Sequence, residues 1–161
     1  MFILSKKKKK RMISINLNVL ILRPVWEVFD FITNPANNSK WQYGSLESVQ
    51  ISDGGMPVGT VFSSFGHFMG RRIQSNFEVT EFKTNERYGF ETISGPIQLQ
   101  TSYSFEPVDH GTNVIVSSLI NPGGFFKLVD PIVARVARKQ FKENLTTLKE
   151  LLETREIIRN R

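Results

Sequence analysis

The sequence predicts an α+β fold: a curved antiparallel sheet of about seven strands wrapped around one long C-terminal helix, with two short helices between the first and second strands. Three observations predict it. From Gly124 to Arg161, apolar residues recur at three- and four-residue steps, the stripe of a helix laid on a core. From Ser45 to Ile120, short alternating segments are separated by turn residues. A meander with one solvated face needs a cover for the other, and only the last helix is long enough.

The elements follow in order. Ile13, Ile15, Leu17, Val19 and Ile21 alternate with Ser14, Asn16 and Asn18, which is the period of a half-buried strand. Arg23-Pro24 ends it, and Pro24 suits the first turn of a helix whose apolar face is Val25, Val28, Phe29 and Ile32. Asn34-Pro35 stops that helix. Ala36 to Gln42 form a second short helix or turn ending near Trp41.

Strands are then predicted at Leu46–Ser52, Thr60–Phe68, Arg71–Phe82, Arg87–Ile93, Ile97–Pro107 and Asn113–Ile120. Turns fall at Asp53-Gly54-Gly55, Met69-Gly70, Thr84-Asn85, Ser94-Gly95-Pro96 and Asp109-His110-Gly111. Connections this short imply consecutive antiparallel neighbours. The first strand is expected to pair with the last and extend the curve. Asn121-Pro122-Gly123-Gly124 breaks the sheet and releases the helix.

That helix would run roughly 43 Å from Pro131 to about Arg159 at about 1.5 Å per residue. Phe126, Val129, Val133, Ala137, Phe141, Leu145, Leu148 and Leu152 are part of its stripe; Arg135, Arg138, Lys142, Glu143 and Glu150 belong to its solvent face. Gln140 and Asn144 interrupt the stripe one turn apart. Either they hydrogen-bond inside or at the edge of a packed core, or they face an open cavity; at least one is expected to reach the cavity or bond a strand beneath. Asp130-Pro131 is read as a kink, because Phe126 and Val129 continue the stripe across the proline.

Composition bounds the rest. A chain of 161 residues suggests one domain, over residues 12–159, large enough for a substantial core. Thirteen phenylalanines call for a sizeable interior or an apolar cavity wall. With no cysteine, disulfides and thiolate metal sites are excluded; two histidines far apart argue against a protein zinc site, no cofactor is expected, and a reducing, cytoplasmic setting fits. The net charge of +6 comes from Lys6 to Arg11 alone; without them fifteen basic residues face fifteen acidic ones, which argues against nucleic acid as a partner.

Residues 1–11 read as a flexible basic tail. It is an extension without structural role, or a weak contact to anionic lipid or nucleic acid through Lys6–Arg11, or the start of a signal peptide. The last is set aside, because Ser14, Asn16 and Asn18 interrupt the apolar run and no small-x-small site follows. No segment has eighteen uninterrupted apolar residues, so no transmembrane helix is expected.

The order of elements and several landmarks resemble the START-like helix-grip superfamily (SRPBCC), in particular its polyketide cyclase/dehydrase and lipid-transport branch. The landmarks are Pro24-Val25-Trp26-Glu27-Val28-Phe29, Asn34-Pro35 with Trp41, Gly59-Thr60-Val61-Phe62, Gly70-Arg71-Arg72, Glu78-Val79-Thr80-Glu81-Phe82 and Gly111-Thr112-Asn113-Val114. The pattern closes with Leu145, Leu148, Lys149, Glu150, Leu151, Leu152 and Glu153, and covers about residues 12–155. The resemblance implies a sheet gripping the helix around a cavity that takes lipids, sterols, polyketides, hormones or quinones. A minority of such proteins catalyse.

No known catalytic motif is present. His110 belongs to a hairpin turn. His67 is the candidate acid or base, yet both faces of Thr60–Met69 carry aromatics, so periodicity leaves its direction open. Tyr103 lies on an apolar face and either donates to a ligand carbonyl or packs. Of Arg71 and Arg72, at most one can face inward. The candidate ligand-binding residues are Trp41, Phe62, Phe77, Phe90, Tyr103, Phe126, Gln140, Phe141 and Asn144.

The leading expectation is a binder, transporter or sequestering protein for a small hydrophobic molecule. The alternatives are a cyclase, dehydratase or hydrolase using His67, Tyr103 or an arginine on an apolar carbonyl substrate, and a co-chaperone-like interaction module using the outer sheet face. Oligomeric state has no signal in the sequence.

Overall fold

The alternation from Ile13 to Ile21 becomes strand β1, with Ile13, Ile15 and Ile21 buried and Ser14, Asn16, Asn18 and Leu20 on the solvent side. The computed structural model describes residues 12–53, 57–123, 126 and 130–159. The basic tail over 1–11 lies outside them. So does most of the stretch that decides whether Pro131 kinks the last helix. After β1 come α1 (Val25–Thr33), a 3₁₀ turn (Pro35–Asn37) and α2 (Asn38–Trp41). Strands β2 (Ser45–Gln50), β3 (Val61–Phe68), β4 (Arg71–Lys83), β5 (Arg87–Ser94), β6 (Ile97–Val108) and β7 (Gly111–Pro122) precede α3 (Asp130–Arg159).

The sheet is antiparallel throughout, in the order β1-β7-β6-β5-β4-β3-β2, so the first strand does pair with the last. β7 is longer at both ends than the sequence reading, because Gly111, Thr112, Asn121 and Pro122 continue the ladder with β6. Register shifts at Ser45/Glu47, Asn76/Phe77 and Val79/Glu81 bend the strands. They fall on the β2–β5 side, and the resulting curve leaves a concave face for α3.

Two hydrophobic clusters fill that face. One gathers Val28, Phe29, Phe105, Leu145, Leu148 and Leu152 at the α1 end; the other gathers Ile13, Ile15, Ile120, Phe126, Val133 and Ala137. Helix α3 serves both with its two ends. Phe141 packs against both clusters, and Gln140 and Asn144 flank it on the sequence. The break in the apolar stripe thus falls where the core itself divides. Leu148 and Leu152 are fully buried, and each contributes about 1.5–3 kcal/mol of apolar transfer.

Helix α1 is fastened by charge as well as by Phe29. Arg23 Nε donates to the buried Glu27 carboxylate at 2.7 Å, and Thr112 Oγ1 donates to the Arg23 carbonyl at 2.9 Å. Phe29 meets the rings of Phe82 and Phe105 edge-on at 5.2 and 5.1 Å. No helix among the described residues is long and apolar enough to cross a membrane.

Candidate functional site

Strand register decides which side chains look inward, because successive residues alternate faces. Phe62 sits opposite Phe77, Ser64 opposite Ser75 and Gly66 opposite Ile73. Phe90 sits opposite Thr101, and Tyr88 opposite Tyr103. Tyr103 in turn faces Val116, and Leu99 faces Ile120. All these positions share the concave face.

Between them and α3 lies a cavity of about 240 Å³, bounded on the helix side by Val133, Ala137, Gln140, Phe141, Asn144 and Leu145. One water needs only ~10–15 Å³, so this is a chamber rather than a packing defect. Its aromatic wall is a triangle of rings. Phe62 stacks on Phe77 at 5.3 Å, and Phe90 meets both edge-on at 5.6 and 5.5 Å.

The polar groups of the wall are mostly engaged with the protein. Thr101 Oγ1 and Ser118 Oγ share a hydrogen bond of 2.8 Å, and Ser64 Oγ shares one of 2.7 Å with Ser48 Oγ. Tyr103 is buried, and the loss of solvent raises its phenol pKa above the ordinary value, with neighbouring Tyr88 adding to the rise. Its hydroxyl therefore stays protonated. Trp41 is different: it is 4% exposed, lines the cavity, and its indole Nε1–H has no hydrogen-bond partner among the described residues.

One rim is the short segment between α2 and β2. Asn144 Oδ1 accepts the Tyr43 backbone N–H at 2.9 Å, and Gln140 Nε2 donates to the Tyr43 carbonyl. Next in the chain, the Gly44 carbonyl accepts the His67 N–H at 2.8 Å. Helix α3 and strand β3 thus hold consecutive residues of one rim. Gly44 has φ +83°, and a Cβ there would come within 2.5 Å of the His67 carbonyl oxygen. Gly66 lies so close beneath the Gly44 carbonyl that a side chain there would collide with it.

The structure brings Trp41, Phe62, Phe77, Phe90, Tyr103, Gln140, Phe141 and Asn144 to this one cavity. Phe126 does not line it. That ring is buried in the second cluster against Phe68, at 5.4 Å, and Phe68 is the residue that reaches the wall. Gln140 and Asn144 reach the cavity as expected, but their hydrogen bonds go to the rim segment rather than to a strand. Trp41 both packs in the core and lines the cavity.

His67 is exposed and on the strand parity opposite to Phe62, Ser64 and Phe68, yet it is among the residues bounding the cavity, at the rim where its backbone N–H meets the Gly44 carbonyl. Arg71, Arg72 and His110 are exposed as well. The sequence reading omitted Ser64, Ser75, Leu99 and Thr101, all in the wall. The period-two step from Phe62 to Ser64, and from Phe77 to Ser75, carries their signal once the facing of Phe62 is known. Among the described residues no group of three or more His, Cys, Asp or Glu side chains is placed to hold a metal.

A family model described as polyketide cyclase / dehydrase and lipid transport matches residues 12–153. Among curated proteins none matches the chain in sequence. Among solved structures, the Zhui aromatase/cyclase of a Streptomyces species superposes with a TM-score of 0.74 at 10% identity, covering 90% of this chain and 96% of that one. The protein TTHA0849 of Thermus thermophilus gives 0.72 at 18% identity, over 85% and 94%. The protein NE0264 of Nitrosomonas europaea gives 0.69 at 16%, over 90% and 97%. At these identities the likeness is one of fold.

Proposed function

Because the chain belongs to the polyketide cyclase/dehydrase and lipid-transport family, we propose that it binds a small, mostly apolar molecule between the sheet and α3. The observation that carries this reading is the 240 Å³ chamber walled by Phe62, Phe77, Phe90 and Phe141. Such a volume left among close-packed aromatics forgoes dispersion contacts that a ligand restores. The polar rim at Gln140, Asn144 and Tyr43 fits an entrance through which the bound molecule is taken up, held and handed on.

Native mass spectrometry of gently purified protein, with organic extraction, tests the reading, together with titration by an apolar probe. A retained molecule, or probe binding at micromolar concentration, is the expected result. A collapsed cavity that takes up no probe overturns it.

A second reading is a cyclase- or dehydratase-type enzyme on an apolar carbonyl substrate. It is supported by Tyr103, whose protonated hydroxyl at the cavity wall suits polarisation of a carbonyl. It also needs a base, for which His67, exposed at the cavity rim, is the nearest imidazole. Turnover by such an enzyme would be abolished by Tyr103→Phe while apolar probe binding persists. The interaction-module reading calls for a closed core, and the open chamber favours the binding reading over it.

A further inference from the structure

The two ends of the sheet differ in how they carry charge. Where β4 turns into β5, opposite charges pair: Lys83 with Glu86 at 3.0 Å and Arg87 with Glu81 at 2.7 Å. Where β6 turns into β7, the exposed charges are the acids Glu106 and Asp109. At the opposite end β1 begins, β3 turns into β4 and α3 starts. Ile13, Phe68, Met69, Ile97 and Val133 meet there in one cluster. Arg72 and Arg135 are exposed at this end, and neither has an ion-pair partner among the described residues. The acids Asp130 and Glu91 stand near it, and Arg71, Arg72 and Arg135 outweigh them within the folded chain alone.

We propose that this end of the molecule docks on an anionic lipid surface. Charge is the first argument. The chain preceding Met12 adds the six basic residues Lys6 to Arg11. Even Lys6 is within about 20 Å of Met12 along a fully extended chain, so all six deliver their charge to the end that is already basic. Apolar exposure is the second. Met12 is 49% exposed and Ile132 53%. Ile132, Arg135 and Lys139 follow at steps of three and four, so they share the outward face of α3. Isoleucine set among cations matches a bilayer interface, where lysine and arginine meet anionic headgroups and the apolar side chain enters the acyl boundary. Nucleic acid would answer the charge but offer Met12 and Ile132 nothing to enter. The docking does not depend on what the cavity holds.

The test is co-sedimentation of the full chain with vesicles of phosphatidylcholine alone, or with about three-tenths phosphatidylserine. The anionic vesicles should bind at least tenfold more tightly, and the advantage should shrink as salt screens the charges. Each basic residue at such a surface is worth about fivefold in affinity. Arg72→Gln with Arg135→Gln should therefore weaken binding by about 10- to 30-fold. Lys83→Gln with Arg155→Gln removes the same charge from exposed positions at the other end and should change it less than about twofold. Ile132→Ser, which alters no charge, should cost about 3- to 10-fold.

Equal losses from the two arginine and lysine pairs overturn the inference, because charge would then act without orientation. So does binding that ignores phosphatidylserine, or no binding to either vesicle. A short RNA duplex is the competing probe. RNA binding that exceeds vesicle binding and is untouched by Ile132→Ser assigns the basic end to nucleic acid and overturns the lipid surface. Every replaced side chain is exposed, and circular dichroism of each variant confirms that a loss is one of docking rather than of folding.

Discussion

Asn144 reaches across from the long helix to the backbone of Tyr43, accepting its N–H at 2.9 Å, while Gln140 one turn earlier takes the carbonyl of the same residue. Two side chains thus hold one exposed residue by both its backbone groups. Each bond contributes about 0.5–1.5 kcal/mol. The Gln140→Leu, Asn144→Leu double variant should lose about 1–3 kcal/mol in urea denaturation, and its Tyr43 amide should exchange faster. Affinity for an apolar probe should change more than about tenfold, beyond what the stability loss alone would suggest. Unaltered exchange and unaltered affinity would return both residues to a packing role.

Gly44 admits no side chain. Its φ of +83° disfavours any L residue, and a Cβ would press on the His67 carbonyl. Gly44→Ala should cost about 1–3 kcal/mol, the range for a forced left-handed residue with a backbone collision. Gly70, also at positive φ but with open space around a built Cβ, is the control and should cost less when replaced by Ala. Equal losses by thermal melting would refute the collision argument.

Phe62 is buried between Phe77 and Phe90 and forms part of the cavity wall. Phe62→Leu should widen the chamber at a cost of about 1–3 kcal/mol. A bulkier apolar probe that binds the parent weakly should gain affinity in the variant. The gain, read by calorimetry, separates a cavity wall from a core contact, which would lose stability without changing probe preference.

Burial raises the phenol pKa of Tyr88 and of Tyr103. The sign of the pH effect follows. In the unfolded chain both ionise near pH 10, whereas in the folded protein they remain neutral there. The stability this represents is complete below about pH 10 and declines as pH rises beyond it. Urea midpoints measured from pH 8.5 to 11 should fall along that limb. Tyr103→Phe should make the fall shallower, and an identical slope would mean the phenol is solvated.

The strand order and the gripping helix were legible because period-two segments, turn residues and a long apolar stripe coincide. Facing on β3 was not. Phe62, Phe65 and Phe68 place aromatics on both parities, and only pairing with Phe77 on β4 shows which face is inner. The same pairing turns His67 outward. The stripe's break at Gln140 and Asn144 could be seen in the sequence, but its partner could not, because Tyr43 lies about a hundred residues away. The unmet donor of Trp41 belongs to the same class: whether an indole N–H is satisfied depends on neighbours that only the folded chain supplies.

The division of the core into two clusters, bridged on α3 by Phe141, gives the chamber an energetic meaning. The two halves of the fold share less than a solid interior would let them share, and an occupant becomes structural material. A ligand at a hundred times its Kd adds about 2.7 kcal/mol to the folding free energy, a sizeable share of what a domain of this size holds in reserve. Supply of the ligand would then set how long each molecule survives proteolysis. The amount of protein present becomes a record of how often its seam has been filled.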